Sequence, residues 1–154
     1  MARVEKVVLD ASIVIKWYVK ESDSTLANII KDDLERSMID VLVPSLLFYE
    51  VLNVLRYKPD MGEADLEKVA RSLDDLQFSV VHPNHEYGME ITWVALRSGI
   101  TVYDAAYVAL ARRKSCLLFT ADEKLRQRTE EERIIRSLQE YESVRRKNWK
   151  LPIL

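Results

Sequence analysis

The chain has 154 residues, 48% of them hydrophobic and 31% charged, with a formal net charge of −2. That length suits one domain with a full core, and the composition excludes a disordered chain. Lys and Arg number 23 against 25 Asp and Glu, so no global field favours a polyanion and any such site must be a local basic patch.

Three Gly and four Pro predict regular elements joined by short loops. Cys116, the sole cysteine, lies in the apolar run Cys116-Leu-Leu-Phe119 and reads as a buried core thiol rather than a nucleophile. A single Cys makes no internal disulfide, which fits a reducing compartment. Glu5, Lys6 and Asp10 break up any signal-like apolar core, and no stretch approaches membrane-spanning length. These features lead us to expect a soluble, cytoplasmic protein with no membrane partner.

In chain order, Val7-Val-Leu9 reads as a buried strand ending at Asp10, and Ile13, Val14, Trp17 and Tyr18 resume with helical spacing. In an open α/β sheet the crevice lies at the carboxyl ends of the strands, which places Asp10 and Ser12 there. Asp10 equally suits a helix cap. A turn at Lys20–Asp23 precedes a helix from about Thr25 to Leu34. Val41-Leu-Val43 is a short strand, and Pro44 suits the first turn of the next helix, Ser45 to about Tyr57. That helix is apolar almost all round, so burial on more than one face is expected, with Glu50 and Asn53 interrupting one side. After a loop at Lys58–Gly62 comes an amphipathic helix carrying Leu66, Val69, Leu73 and Leu76, then a strand at Phe78–Val81. A helix from about Glu86 to Arg97 stops at Gly99. Thr101–Asp104 opens an Ala-rich helix, followed by a strand at Cys116–Thr120, a helix from Ala121 to about Thr129 and a strand at Ile134-Ile135. The tail begins helical at Gln139–Lys147 and ends apolar. Strands alternating with helices predict an α/β fold with a parallel sheet.

Four carboxylates stand at telling places: Asp10 after a strand, Glu50 in an apolar helix, Asp104 opening a helix and Asp122 just past a strand. Thr101 with Asp104, and Thr120 with Glu123, also resemble capping boxes, which would make Asp122 a first-turn charge. For Asp104 and Asp122 taken singly, capping is the better explanation. Glu50 is costly on a buried helix unless paired or bound to a cation, and a site is favoured there over a salt bridge to Arg56. Carboxylates gathered at one sheet end raise one another's pKa unless a cation intervenes, and hard divalent cations prefer oxygen donors. No Cys/His set suits zinc; His82 and His85 read as surface residues. Trp17, Trp93 and Tyr107 sit at core-like spacings and read as packing, whereas Phe48 and Tyr49 fit either core or dimer contacts.

The ordered set Val8-Leu-Asp10-Ala-Ser12, Tyr49-Glu50-Val-Leu-Asn53, Thr101-Val-Tyr-Asp104-Ala-Ala-Tyr107-Val-Ala-Leu-Ala111 and Thr120-Ala-Asp122-Glu-Lys-Leu125 resembles the PIN-domain ribonucleases, and more closely the VapC-type toxins of toxin–antitoxin pairs. The likeness runs from about Val7 to Ile135. It implies a three-layer α/β/α fold with a central parallel sheet and Mg²⁺- or Mn²⁺-dependent cleavage of RNA to a 5′-phosphate and a 3′-hydroxyl. It also implies that Asp10, Glu50, Asp104 and Asp122 form the metal and catalytic set. Ser12 and Thr120 would orient them, with Asn53 as the polar partner on the Glu helix. A homodimer and a cognate antitoxin are implied partners. Residues 1–138 would form the nuclease domain and 139–154 a helical, apolar tail packed on it. Lys16, Lys20, Arg56, Arg112, Arg113 and Lys114 are candidates to grip the RNA backbone, with Lys16 and Arg112 placed by their spacing from the acids. Two rivals remain. A haloacid-dehalogenase-like phosphatase would want a second Asp where Ser12 stands, and a receiver-like or degenerate PIN binding module would lack part of the acidic set.

Overall fold

The computed structural model describes residues 4–148. Its centre is β1 (Glu5–Leu9), whose last three residues are wholly buried, as a strand covered on both faces must be. On one side β1 pairs in parallel with β2 (Ile39–Pro44), and β2 pairs with β3 (Ser79–Val81). On the other side it pairs with β4 (Leu117–Thr120), and β4 with β5 (Ile135–Ser137). The order β3-β2-β1-β4-β5 reverses direction between β1 and β4, so the sheet's crevice opens at the carboxyl ends of those two strands. Leu9 stands opposite Phe119, which sets Asp10 beside Thr120 one step further on.

Helices complete the layers: α1 (Ala11–Ile15), α2 (Ser24–Glu35), α3 (Leu46–Arg56), α4 (Glu63–Asp75), α5 (His85–Ser98), α6 (Val102–Lys114), α7 (Glu123–Arg128) and α8 (Tyr141–Asn148). Every residue of α6 from Ala105 to Ala111 is buried, because its small side chains let it lie between the sheet and α5. Gly99 ends α5 at φ 62°, the left-handed conformation that a residue without a Cβ adopts at no steric cost.

Three expectations change. Pro44 is the last residue of β2 rather than the first turn of a helix; α3 begins at Leu46, after the Ser45 N–H bonds Val81 O at 3.1 Å. A strand's end tolerates a residue with no N–H to give the ladder. Only Leu47, Val51 and Leu55 of α3 are buried, and Tyr49 is 77% exposed, so this helix has a free face. Trp93 lies on the surface of α5 instead of in the core, while Trp17 does pack, stacked on Phe78 with Nε1 donating to Ala27 O at 2.8 Å.

The chain beyond β5 folds back onto the sheet. A 3-10 turn (Leu138–Glu140) leads into α8, Tyr141 packs edge-on to Phe119, and Asp33 accepts from the Tyr141 hydroxyl (2.8 Å) and from Arg145 (2.7 and 2.9 Å). The apolar end of the tail expected after residue 148 lies outside the described residues. No helix among the described residues is long and apolar enough to cross a membrane.

Candidate active site

Asp10 stands at the end of β1 with only 5% of its surface exposed. Its main chain continues the ladder, donating to Phe119 O at 3.1 Å, which fixes the residue against β4. Two hydroxyls then fix the carboxylate: Ser12 Oγ and Thr120 Oγ1 each donate to Oδ2 at 2.7 Å. Both bonds land on one oxygen, so Oδ1 carries neither. Ser12 Oγ in turn accepts from the Ala121 N–H, and Thr120 Oγ1 from the Asp122 N–H, each at 3.0 Å. The hydroxyls therefore tie β1, α1 and the loop after β4 into one unit. Thr120 does not cap α7 through Glu123 as a capping box would. Asp122 is itself the cap, its Oδ1 accepting from the Leu125 N–H at 3.2 Å.

Glu50 reaches the same end of the sheet from α3. Its partner is not Arg56, which stacks over Tyr57 and donates to that hydroxyl at 3.0 Å. Instead the Tyr107 hydroxyl, wholly buried in α6, donates to Glu50 Oε1 at 2.7 Å. Asp104 opens α6, where Thr101 caps the helix by accepting the Asp104 N–H at 3.0 Å.

Electrostatics bind the set together. Burial pushes the Glu50 carboxyl up to about 7, and the charges of Asp10 and Asp104 add to that rise while the Tyr107 hydrogen bond opposes it. Asp10 is raised by burial and by Asp104 and Asp122, against the pull of its two hydroxyl donors. Asp104 is raised by burial and Asp122, with a hydrogen bond from Thr101 and the charge of Arg128 drawing it partly back. Four carboxylates from four separate segments thus share one field at the carboxyl edge of β1 and β4.

Residues 7–131 of the chain match the PIN domain. The chain belongs to the PIN-domain family. Ribonuclease VapC3 of Pyrobaculum aerophilum is 34% identical to it over 125 residues, 78% of this chain and 92% of that protein. A solved structure from Pyrobaculum aerophilum superposes on this PIN domain with a TM-score of 0.63 at 24% identity, covering 91% of this chain and 88% of the other. A toxin–antitoxin complex from Klebsiella pneumoniae gives 0.63 at 14% identity, over 86% of this chain and 97% of that one. Those two likenesses are of fold.

Other expected residues of the PIN domain stand apart from the acids. Asn53 is exposed and lines a groove between α3 and α4 with Tyr49, Leu52 and Leu66. Lys16 is turned into Glu21 and Asp23, the latter at 2.9 Å. Arg112 pairs with Glu132 at 2.6 Å, and Arg113 with Glu90 at 2.7 Å. The Cys116 thiol is half-buried, and burial pushes it up to about 11, so it is no nucleophile near neutrality. Sequence reasoning missed the Tyr107 hydroxyl and Arg128. The signal for Tyr107 was present, since a phenol three residues past Asp104 in an aliphatic run shares its side of the helix.

The donor set fits a hard divalent cation, for it is all oxygen and its like charges raise one another. Among the described residues no three of Asp, Glu, His and Cys form a ready chelate.

Proposed function

We propose that this PIN domain is a divalent-metal-dependent endoribonuclease and the toxin of a toxin–antitoxin pair. The observation that carries the reading is the convergence of Asp10, Glu50, Asp104 and Asp122 at one sheet edge, in one electrostatic field. Asp10, Asp104 and Asp122 would hold one metal ion, or two, directly or through water, and Glu50 would bind it or orient the attacking water. Bound there, Mg²⁺ or Mn²⁺ supplies a Lewis acid that lowers the pKa of that water and offsets charge on the phosphate. Ser12 and Thr120 keep Asp10 in one orientation. Glu50, held through one oxygen by Tyr107, has its second oxygen left to accept the water's proton. The water oxygen bonds to phosphorus as the P–O3′ bond breaks, and the departing O3′ takes a proton from solvent, leaving a 5′-phosphate and a 3′-hydroxyl.

The name of the Pyrobaculum relative supports the activity, and the Klebsiella complex supports an antitoxin partner. Exposed Met89, Leu96, Val102 and Tyr103 support a homodimer. The nuclease unit ends at residue 138 and the chain after it is a tail; for the described part of that tail, residues 139–148, the grip of Asp33 on Tyr141 and Arg145 supports packing on the domain. A cytoplasmic location goes with an RNA substrate and a lone thiol. The absence of a ready chelate among the described residues favours one rival, a PIN-like binding module without catalysis.

One experiment separates them: purified protein with a panel of labelled RNAs under Mg²⁺, Mn²⁺ or EDTA, beside Asp104→Asn. Cleavage is expected only with metal, and the variant should lose about a thousandfold in rate, the loss of several kcal/mol of charge stabilisation. Cleavage in EDTA, or undiminished cleavage by Asp104→Asn, overturns the reading.

A further inference from the structure

Thr120, whose hydroxyl holds Asp10, ends a strand of only four residues, so its position is set by what packs around it. In the β4–β5 ladder it stands opposite Ser137. There Glu140 accepts from the Ser137 N–H at 2.7 Å and from the Ser137 hydroxyl at 3.0 Å, which closes the turn leading into α8. One residue before Thr120, the wholly buried Phe119 meets the Tyr141 ring edge-on, with 5.1 Å between centroids. Phe119 O is also the acceptor for the Asp10 N–H. A shift of Phe119 thus disturbs Asp10 twice, through that carbonyl and through the hydroxyl of the next residue.

Tyr141 is in turn held from behind. Asp33 of α2, 2% exposed, accepts from its hydroxyl, and Arg145 adds a fork to both oxygens of the same carboxylate. Burial and the charge of Asp33 keep the phenol protonated, so it donates. A buried carboxylate with its partners adds little stability over apolar side chains of the same volume. Its directional bonds do something that apolar packing does not, since they admit one placement of the ring. That fixed ring lies against the residue whose carbonyl and whose neighbour both reach Asp10.

We propose that α8, which follows the nuclease unit, completes the catalytic edge, with Tyr141 as a positioning residue that seats Phe119 and keeps the Thr120 hydroxyl on Asp10. The proposal rests on the ribonuclease reading and gives α8 a part in it. Hydrogen bonds that orient a metal-binding carboxylate are worth about ten- to hundredfold in metal affinity or activity. The chain from Asp33 through Tyr141 to Phe119 acts on such a bond at one remove.

The test pairs RNA-cleavage kinetics with amide hydrogen exchange of the metal-free protein. Tyr141→Leu removes the ring and keeps much of its apolar volume. Its kcat should fall about tenfold to a hundredfold while KM holds, because what is lost is geometry needed in the transition state. Exchange at the Asp10, Ala121 and Asp122 amides should quicken, while β2, on the other side of β1, keeps its protection. Tyr141→Phe, which keeps the ring on Phe119, should recover most of both losses. In a Thr120→Val background Tyr141→Leu should cost less than about threefold, since the hydroxyl it positions is already gone. Should Tyr141→Leu not fold, Asp33→Asn keeps the shape and weakens the bonds to Tyr141 and Arg145. A loss of about threefold or more in kcat is then expected, with the same local rise in exchange, and parental exchange at Asp10 sinks the proposal. It is also overturned by a folded Tyr141→Leu with parental kcat, by a loss that simply adds to that of Thr120→Val, or by exchange that quickens evenly in every strand. Each of these reduces α8 to a support of the fold. A parent that cuts no RNA overturns the ribonuclease reading, and exchange at Asp10, Ala121 and Asp122 still decides whether Tyr141 holds the acidic edge.

Discussion

At the scale of single residues, the site depends on hydroxyls as much as on carboxylates. Asp10 is oriented by two of them and Glu50 by one, and each donor is itself anchored by burial or by a backbone N–H. Tyr107 shows what such a donor does. Its ring is wholly buried, and burial with the neighbouring carboxylates keeps its hydroxyl protonated well above the usual range. It can therefore only donate to Glu50, which leaves the second oxygen of that carboxylate for solvent or substrate. Tyr107→Phe keeps the ring and deletes the bond. A hydrogen bond to a charged group is worth about 1.5–3 kcal/mol, so kcat should fall about tenfold or more while KM holds. Equal losses in kcat and RNA affinity would mean that the tyrosine only supports the fold, and an unchanged kcat would remove it from the mechanism.

At the scale of elements, α5 has more apolar surface than its own domain covers. Met89 and Leu96, two turns apart, share one side of the helix, and Leu96 is 79% exposed. Large apolar residues left open in this way mark an interface. Leu96→Asp should weaken self-association about tenfold to a hundredfold in sedimentation, yet leave the unfolding free energy of dilute protein within about 0.5 kcal/mol of the parent's. A parent protein that sediments as a monomer at every concentration refutes the dimer. This face also shows where sequence reasoning stops. The four acids stood out as candidates from their ordered motifs, and Glu50 also from the cost of a carboxylate on a largely apolar helix. Val7–Leu9, the Ala-rich run of α6 and Gly99 were legible for the same kind of local cause. Trp93 and Tyr49 were not, since helical spacing says which side is apolar and nothing about whether the domain or a partner covers it. Nor was the pairing of Glu50 with Tyr107, 57 positions apart, because it depends on how α3 and α6 meet over the sheet.

At the scale of the whole molecule, the acidic edge sets stability against function. The Glu50 carboxyl is raised from 4.5 to about 7, first by burial, and Asp10 and Asp104 are raised as well. Between pH 4.5 and about 7 the folded state therefore holds more protons than the unfolded chain, so stability falls as pH rises across that window. Glu140 acts in the opposite sense: burial works against its charge, but the Ser137 N–H and hydroxyl outweigh it and hold the carboxyl low. Its contribution is present above the ordinary carboxylate range and lost as pH falls below it, which leaves the window of Glu50 uncontested. Glu50→Gln retains an acceptor for Tyr107 and removes the charge. At pH 7.5 without metal it should stabilise the protein by about 1 kcal/mol after allowance for partial exposure, which is about 2–4 °C in melting temperature. The metal-free parent should melt at progressively lower temperature from pH 5 to pH 8. Mg²⁺ should restore the loss more fully at the alkaline end, where ionised carboxylates are there to bind it. A melting temperature that is flat with pH, equal for Glu50→Gln and indifferent to Mg²⁺ would mean that the four carboxylates are caps and surface charges with no common field.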